Sequence, residues 1–251
     1  MGFRWDIIES YMPMFMKGAV MTLEVTAVSV LLGTALGLFA ALGRLAKFKN
    51  GVLKYVSAIF IRWPAIFYIT LFRGTPLFVQ ILIIHFGLMP LLIHPENGLF
   101  ISGELARSIK LSNTGILSGT FLSGVVALTL NAGAYIAEIF RAGIQSIDKG
   151  QAEASRSLGM PYGKTMRFII IPQAFRRMLP ALGNETIALL KDSSLVSAIG
   201  LGELAYAART AFGATTRVWE PYLTISFMYL ILTLGLSLIV SWLERRYGKG
   251  D

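Results

Sequence analysis

Gly163-Lys164-Thr165 closes the stretch EASRSLGMPYGKT, Glu153 to Thr165, and a glycine-lysine-threonine triplet is how a phosphate-binding loop ends. Such a loop needs four residues between its glycines, so that successive backbone N–H groups can curl around the phosphates. Here only Met160, Pro161 and Tyr162 separate Gly159 from Gly163, and Leu158 stands where the first glycine belongs. No strand-like run leads in, so Lys164 is not read as a nucleotide ligand. The chain has no cysteine and two well-separated histidines, His85 and His94. Neither a disulfide framework, a thiolate metal site nor a His-based metal centre is expected. No nucleophile–base constellation is found either, which sets an enzyme aside.

The residues left to do chemistry are polar side chains inside apolar stretches. Arg73, Gly74 and Thr75 precede Pro76 in one such stretch, and Asn131 and Tyr135 lie in another, with Thr129 nearby. Glu185, Lys191, Asp192, Ser193 and Ser194 crowd a third, together with Asn184. Charged groups at bilayer depth are costly and mark a transport path, an ion pair or a water-filled cavity. Each therefore has a structural reading beside the functional one. Glu24 and Glu138 are weaker candidates, and Glu138 can pair with Arg141 three residues on.

The elements that hold these residues are membrane spans. The chain is 55% hydrophobic and only 15% charged, far from the balance of a soluble domain. Hydropathy places five spans, at about 18–42, 64–93, 117–140, 180–201 and 221–243. The second is interrupted at Arg73-Gly74-Thr75-Pro76, where a lost donor and a weak helix former predict a kink or an unwound turn. Such breaks expose backbone groups that can line a substrate cavity. The fourth is the most polar. Gly33 and Gly37 form a small-xxx-small pattern suited to close helix packing. No cleavable signal is read at the start, so the first span is expected to direct insertion.

Charge sets the threading. Gly43 to Arg62 carries Arg44, Lys47, Lys49, Lys54 and Arg62 with no acidic residue, and Arg141 to Arg177 carries seven basic and two acidic side chains. The stretches His94 to Ile116 and Gly202 to Glu220 are nearly balanced, and the tail with Arg245, Arg246 and Lys249 is basic again. The positive-inside rule then puts the N-terminus outside and the C-terminus in the cytoplasm. The net charge of +9 faces lipid headgroups, and no basic soluble module argues for nucleic acid. The expected fold is an all-α integral membrane protein, a single transmembrane domain over 1–251, in the cytoplasmic (inner) membrane.

This threading leaves 141–179 as one long cytoplasmic loop, a length that calls for order or function. Asp148 starts a short helix, Gly159 closes it, and Pro161 opens a second that is expected to end at Pro172. On periodicity alone this is an amphipathic hairpin on the headgroups. In order, however, Glu153-Ala154-Ser155, Gly159, Ile169, Ile171 and Pro172 resemble the EAA signature of ABC importer permeases: E-A-A, three residues, G, nine residues, I-x-L-P. Ser155 and Ile171 depart from it and keep small or aliphatic character.

FRGTPLFVQ at Phe72–Gln80, LNAGAYIAEIFRAGIQSI at Leu130–Ile147 and LPALGNETIALLKDSSLVSAIGLGEL at Leu179–Leu204 narrow the resemblance to the polar amino acid branch. The resemblance implies that the loop is a coupling helix docking on an ATP-binding cassette subunit, which alone binds ATP and Mg. It also implies a second permease chain, identical or paralogous, and an extracytoplasmic amino-acid-binding protein. The chain itself would need no cofactor. Channels and secondary transporters need no motor-docking loop of this length, and a signalling subunit is expected to carry a cytoplasmic domain, which is not read here. On the path, Asp192 is expected to meet a cationic group, and Lys191 or Arg73 a carboxylate. Ser193, Ser194, Asn131 and the backbone at Gly74-Thr75 would add hydrogen bonds. The acidic excess of Glu24, Glu185 and Asp192 points to basic cargo, arginine, lysine or histidine, with glutamine next.

Overall fold

The computed structural model describes residues 2–45, 55, 58–111 and 118–247, and these are almost wholly helical. Lys47, Lys49, Lys54 and Lys249 of the basic stretches lie outside the described residues. Helix α1 spans Trp5–Leu45, α5 Gly119–Gln145 and α10 Trp219–Tyr247. Each is long and apolar enough to cross a bilayer, and each outruns the apolar stretch at its centre.

Helices α1 and α5 make the central pair. A Cβ on Gly37 would stand 2.8 Å from the Gly133 carbonyl oxygen, and one on Gly33 3.3 Å from the Ala132 Cβ. Small residues at this spacing let two backbones touch, as their pattern predicts. Around the seam lies a core that includes Val25, Phe121, Leu128 and Ile136.

The second apolar stretch is interrupted where expected, by an unwound turn rather than a kink. A π-helical turn, Ala58–Arg62, leads into α2, Trp63–Gly74. Helix α3, Leu77–Leu82, continues through a π turn at Ile83–Leu88 to Met89–Leu92. The two halves meet at 110° across Thr75-Pro76, so the break turns the chain rather than bending a rod. A short helix, α4, Gly103–Leu111, follows.

One correction concerns Pro172, which ends nothing. Beyond α6 (Lys149–Ser157), α7 (Tyr162–Thr165) passes through a π turn, Met166–Ile170, into α8, Ile171–Asp192. Proline lacks an N–H and clashes with the carbonyl four residues back. The wider turn ahead of it, where the Ile171 N–H reaches Met166 O, takes up that clash. Pro64 and Pro90 likewise stand two residues after a π turn. Tyr162 to Asp192 is therefore one rod roughly 45 Å long.

That rod corrects the fourth stretch, too. Pro180 lies inside α8 rather than opening a span, and Lys191 and Asp192 occupy its last turn rather than a midpoint. A 3-10 stretch, Ser193–Ile199, stops at Gly200, and α9 runs Leu204–Thr215. Among the described residues, three helices pass the length and hydropathy test for a span, and the bent α2–α3 pair counts as a fourth where its two halves are taken as one span. Helix α8 does not, since Arg176, Arg177, Glu185, Lys191 and Asp192 interrupt it.

Candidate functional site

Helix α5 carries a polar column. Asn131, Tyr135 and Glu138, at i, i+4 and i+7, share one face, and the broken α2–α3 element lies against it. The 110° turn frees the carbonyls of Phe72 and Thr75 from helical bonding, and Gln80 collects them. Its Nε2 donates to Phe72 O at 2.9 Å, Thr75 O at 3.0 Å and Thr75 Oγ1 at 2.8 Å. Its Oε1 accepts from Asn131 Nδ2 at 2.9 Å. Asn131 and Thr75, expected on the substrate path, thus brace the break. The key to this network, Gln80, was missed from the sequence, although it ends the quoted stretch FRGTPLFVQ.

One level along α5, Glu138 is an ionic hub. Its Oε2 accepts from Arg44 at 2.6 Å and lies 3.8 Å from Arg73, and its Oε1 bonds Arg141. The pairing with Arg141 was legible three residues away; the arms from α1 and α2 were not. Three guanidinium groups on one carboxylate leave a local excess of positive charge. Arg73 is only loosely held, and its guanidinium carbon lies 5.3 Å from the Tyr135 ring centroid, within cation–π range.

Beside this hub lies a cavity of about 470 Å³ lined by Arg73, Tyr135, Glu138, Arg177 and Glu185, among others. It brings together three residues proposed from sequence, Arg73, Tyr135 and Glu185, contributed by α2, α5 and α8. Glu185 makes no ion pair among the described residues. Arg177 donates to Ser146 O at 2.6 Å. The cavity thus offers a loosely paired guanidinium and a carboxyl group with no ion-pair partner among the described residues. Gly74 is exposed at the break. Lys191, Asp192, Ser193 and Ser194 do not line it: Ser193 is buried and bonded to Leu190 O, and Lys191 and Asp192 are exposed beyond it.

At the other end of the α7–α8 rod stands the hairpin. Asp148 caps α6 through the Gly150 N–H, and Gly159 turns the chain at φ +79°. Glu153, Ala154 and Pro161 are exposed, Ser155 is buried, and Ile169 is half-buried beside exposed Pro172. Leu158 and Tyr162 flank the turn, 83% and 73% exposed. Both the Lys164 and Thr165 N–H groups donate to Pro161 O, which leaves no amide cradle for a phosphate. What the hairpin presents is a compact, partly apolar knob.

A rod joining an exposed knob to a charged cavity has counterparts. Residues 33–249 match the family of binding-protein-dependent transport system inner membrane components. The chain belongs to that family. It is 37% identical over 239 residues to the arginine transport system permease protein ArtQ of Bacillus subtilis, covering 95% of this chain and 94% of that one. It is 36% identical over 246 residues to the glutamine transport system permease protein GlnP of Escherichia coli K12, covering 98% of each. A solved structure described as an amino acid ABC transporter with histidines superimposes with a TM-score of 0.79 at 39% identity, covering 98% of this chain and all of that one. Members of the family are permease subunits of ABC transporters, and ATP hydrolysis falls to a separate subunit. An ATP-binding subunit and a substrate-binding protein are thus the family's partners.

Proposed function

We propose that this permease moves polar amino acids, basic ones in preference, across the cytoplasmic membrane by alternating access. The observation that carries the basic preference is Glu185, an unpaired carboxylate lining a cavity with Arg73 and Tyr135. A zwitterionic cargo needs fixed charges of both signs in a low-dielectric site. Arg73 and Arg177 suit its carboxylate, Glu185 suits an ammonium or guanidinium, and Tyr135 offers a ring face to a cation. Glu185 thereby takes the cation-binding part that was expected of Asp192.

The hairpin Glu153–Gly159 docks on the ATP-binding subunit, which holds ATP and Mg. Because α7 and α8 are continuous, a push on the hairpin displaces Arg177 and Glu185 as one body against Arg73 and Tyr135. Five spans, with the N-terminus outside, and pairing with a second permease chain complete the reading. An extracytoplasmic amino-acid-binding protein delivers the cargo. The outward apolar faces of α1 and α10 meet membrane lipid or the second chain.

Vesicles containing the permease, its ATP-binding subunit and its binding protein test this with radiolabelled amino acids. Arginine uptake should fall about tenfold in Glu185→Gln, the effect of losing ~1.4 kcal/mol, and little in Asp192→Asn. Glutamate carried in preference to arginine, or full arginine uptake in Glu185→Gln, would count against the assignment.

A further inference from the structure

A groove of about 480 Å³ runs along the outside of the molecule between α1, α8 and α10. Ala27 and Leu31 of α1, Leu190 of α8, and Ile231, Gly235 and Ile239 of α10 line it. A Cβ on Gly235 would meet nothing within 4 Å, so the missing side chain opens the floor. The apolar window of α10 is only 6% buried, which leaves this wall facing outward. Thr26 and Thr186 bring hydroxyls to the lining, but each turns back on its own helix, donating to Thr22 O at 2.7 Å and to Leu182 O at 2.8 Å. The groove suits an apolar chain and holds no free donor for a polar one.

Charge stands at one mouth. Helix α8 meets α10 in the opposite sense: a Cβ on Gly183 would run into Val240, while Glu203, beyond the other end of α8, accepts from Tyr229. Two turns from the Gly183 contact, about 10 Å, Arg176 and Tyr247 stand at one level, with Arg246 beside Tyr247. Both arginines are exposed, and neither makes an ion pair among the described residues. Gly235, Ile239, Trp242 and Arg246, at i, i+4, i+7 and i+11, share one face of α10. The Arg246 guanidinium carbon lies 5.6 Å from the Trp242 ring centroid. The floor of the groove therefore continues into an aromatic and basic pair of the kind that marks a bilayer interface. Glu244, two residues before Arg246, projects from the opposite side of the helix, and residues 248–251 carry one side-chain charge of each sign. At the other mouth Glu24 follows Leu23, and Lys17 lies two turns before Glu24 on the same face, so the charges there offset.

We propose that this groove and its arginine mouth bind an anionic phospholipid, with one acyl chain lying along α10 and the phosphate between Arg176 and Arg246. The chain alone cannot select the site, because lipid tails are as apolar as these walls and gain nothing by leaving the bilayer. Selection falls to the headgroup. A basic side chain near the bilayer surface favours an anionic lipid over a neutral one by about fivefold, and two arginines act together here. Membrane lipid is the occupant that supplies an apolar chain and a negative charge in one molecule. The site lies apart from the cavity of Arg73 and Glu185 and does not depend on which amino acid is carried.

Trp242 is one of four tryptophans and reports on the groove. With Trp5→Phe, Trp63→Phe and Trp219→Phe, the whole permease chain in phosphatidylcholine bilayers fluoresces from Trp242 alone. A small fraction of phosphatidylglycerol with brominated acyl chains should quench it more strongly than the same fraction of brominated phosphatidylcholine. Arg176→Gln and Arg246→Gln should each weaken that preference about fivefold, and Gly235→Leu, which fills the floor, should abolish it. Equal quenching by the two lipids would overturn the proposal, as would a preference unchanged by both arginine substitutions. A preference that persists in Gly235→Leu would reveal diffuse attraction to a basic pole instead of a site. Absence of quenching by either lipid would show the groove covered by a second copy of the chain, and would refute the lipid site as well.

Discussion

Single side chains decide whether the 110° break is tolerable. A helix that stops leaves carbonyls without partners, and a buried unpaired carbonyl costs ~1–3 kcal/mol. Gln80, itself buried, satisfies Phe72 O and Thr75 O and is in turn held by Asn131. Gln80→Leu keeps the approximate volume and removes all four bonds. The purified permease should then unfold at lower temperature, by several degrees, and an unchanged midpoint would mean that water replaces the amide. The break itself was legible in Arg73-Gly74-Thr75-Pro76, because proline and glycine act locally. The residue that repairs it was not, since nothing in a Leu-Phe-Val-Gln run says which carbonyls its amide will reach. The same holds for Glu138, whose partners Arg44 and Arg73 lie on other helices. Glu185 was legible as a charge in an apolar run, yet only folding distinguishes it from Asp192, two turns along the same face.

At the scale of elements, the glycines separate packing from turn geometry. Gly37 has no room for a Cβ, because the Gly133 carbonyl and Ile136 are in the way. Gly37→Ala must push α1 off α5 and should destabilise by ~1–3 kcal/mol. Gly163 is helical with nothing near it, so Gly163→Ala should be neutral or stabilise by up to ~1 kcal/mol. Comparing the two midpoints checks that the seam, and not glycine as such, is responsible. Gly159 has open space around it but a φ of +79°, which costs an L-residue ~1–2 kcal/mol and more when β-branched. Gly159→Val should therefore leave the permease folded while weakening its hold on the ATP-binding subunit. Co-purification and ATP turnover of the assembled complex measure this, and full coupling in the variant would remove the turn from the docking role. The hairpin was readable from its cap, glycine and proline. The rod behind it was not: Pro172 reads as a stop, and a π turn is set by what the helix must join, not by local propensity.

The whole molecule has two poles, and its own contacts define them without reference to a membrane. At one pole the Arg4 backbone N–H bonds Glu220 and Arg217 lies 3.7 Å from Glu220, which ties the start of α1 to the start of α10. Glu203 caps α9 there and accepts from Tyr229 of α10, and His94 and Tyr206 line one cavity. At the other pole Arg44 ends α1 and meets Glu138 and Arg141 near the end of α5, and Arg177 bonds Ser146. The basic residues of the hairpin, Lys149, Arg156, Lys164 and Arg167, continue that second pole. Among the described residues basic side chains are densest at the second pole, and the proposed threading puts that end on the cytoplasmic side. The absence of cysteine makes this testable without background, because each introduced thiol is the only one. Cysteines at Lys164 and Arg246 should react with a membrane-impermeant maleimide only after the cytoplasmic face is opened. Cysteines at Glu96 and Ala214 should react in intact cells. Each position is exposed, so failure to label from either side would report a partner covering it rather than a wrong pole. Labelling at Lys164 from outside would invert the molecule, and with it the docking role of the hairpin, since ATP is on the other side.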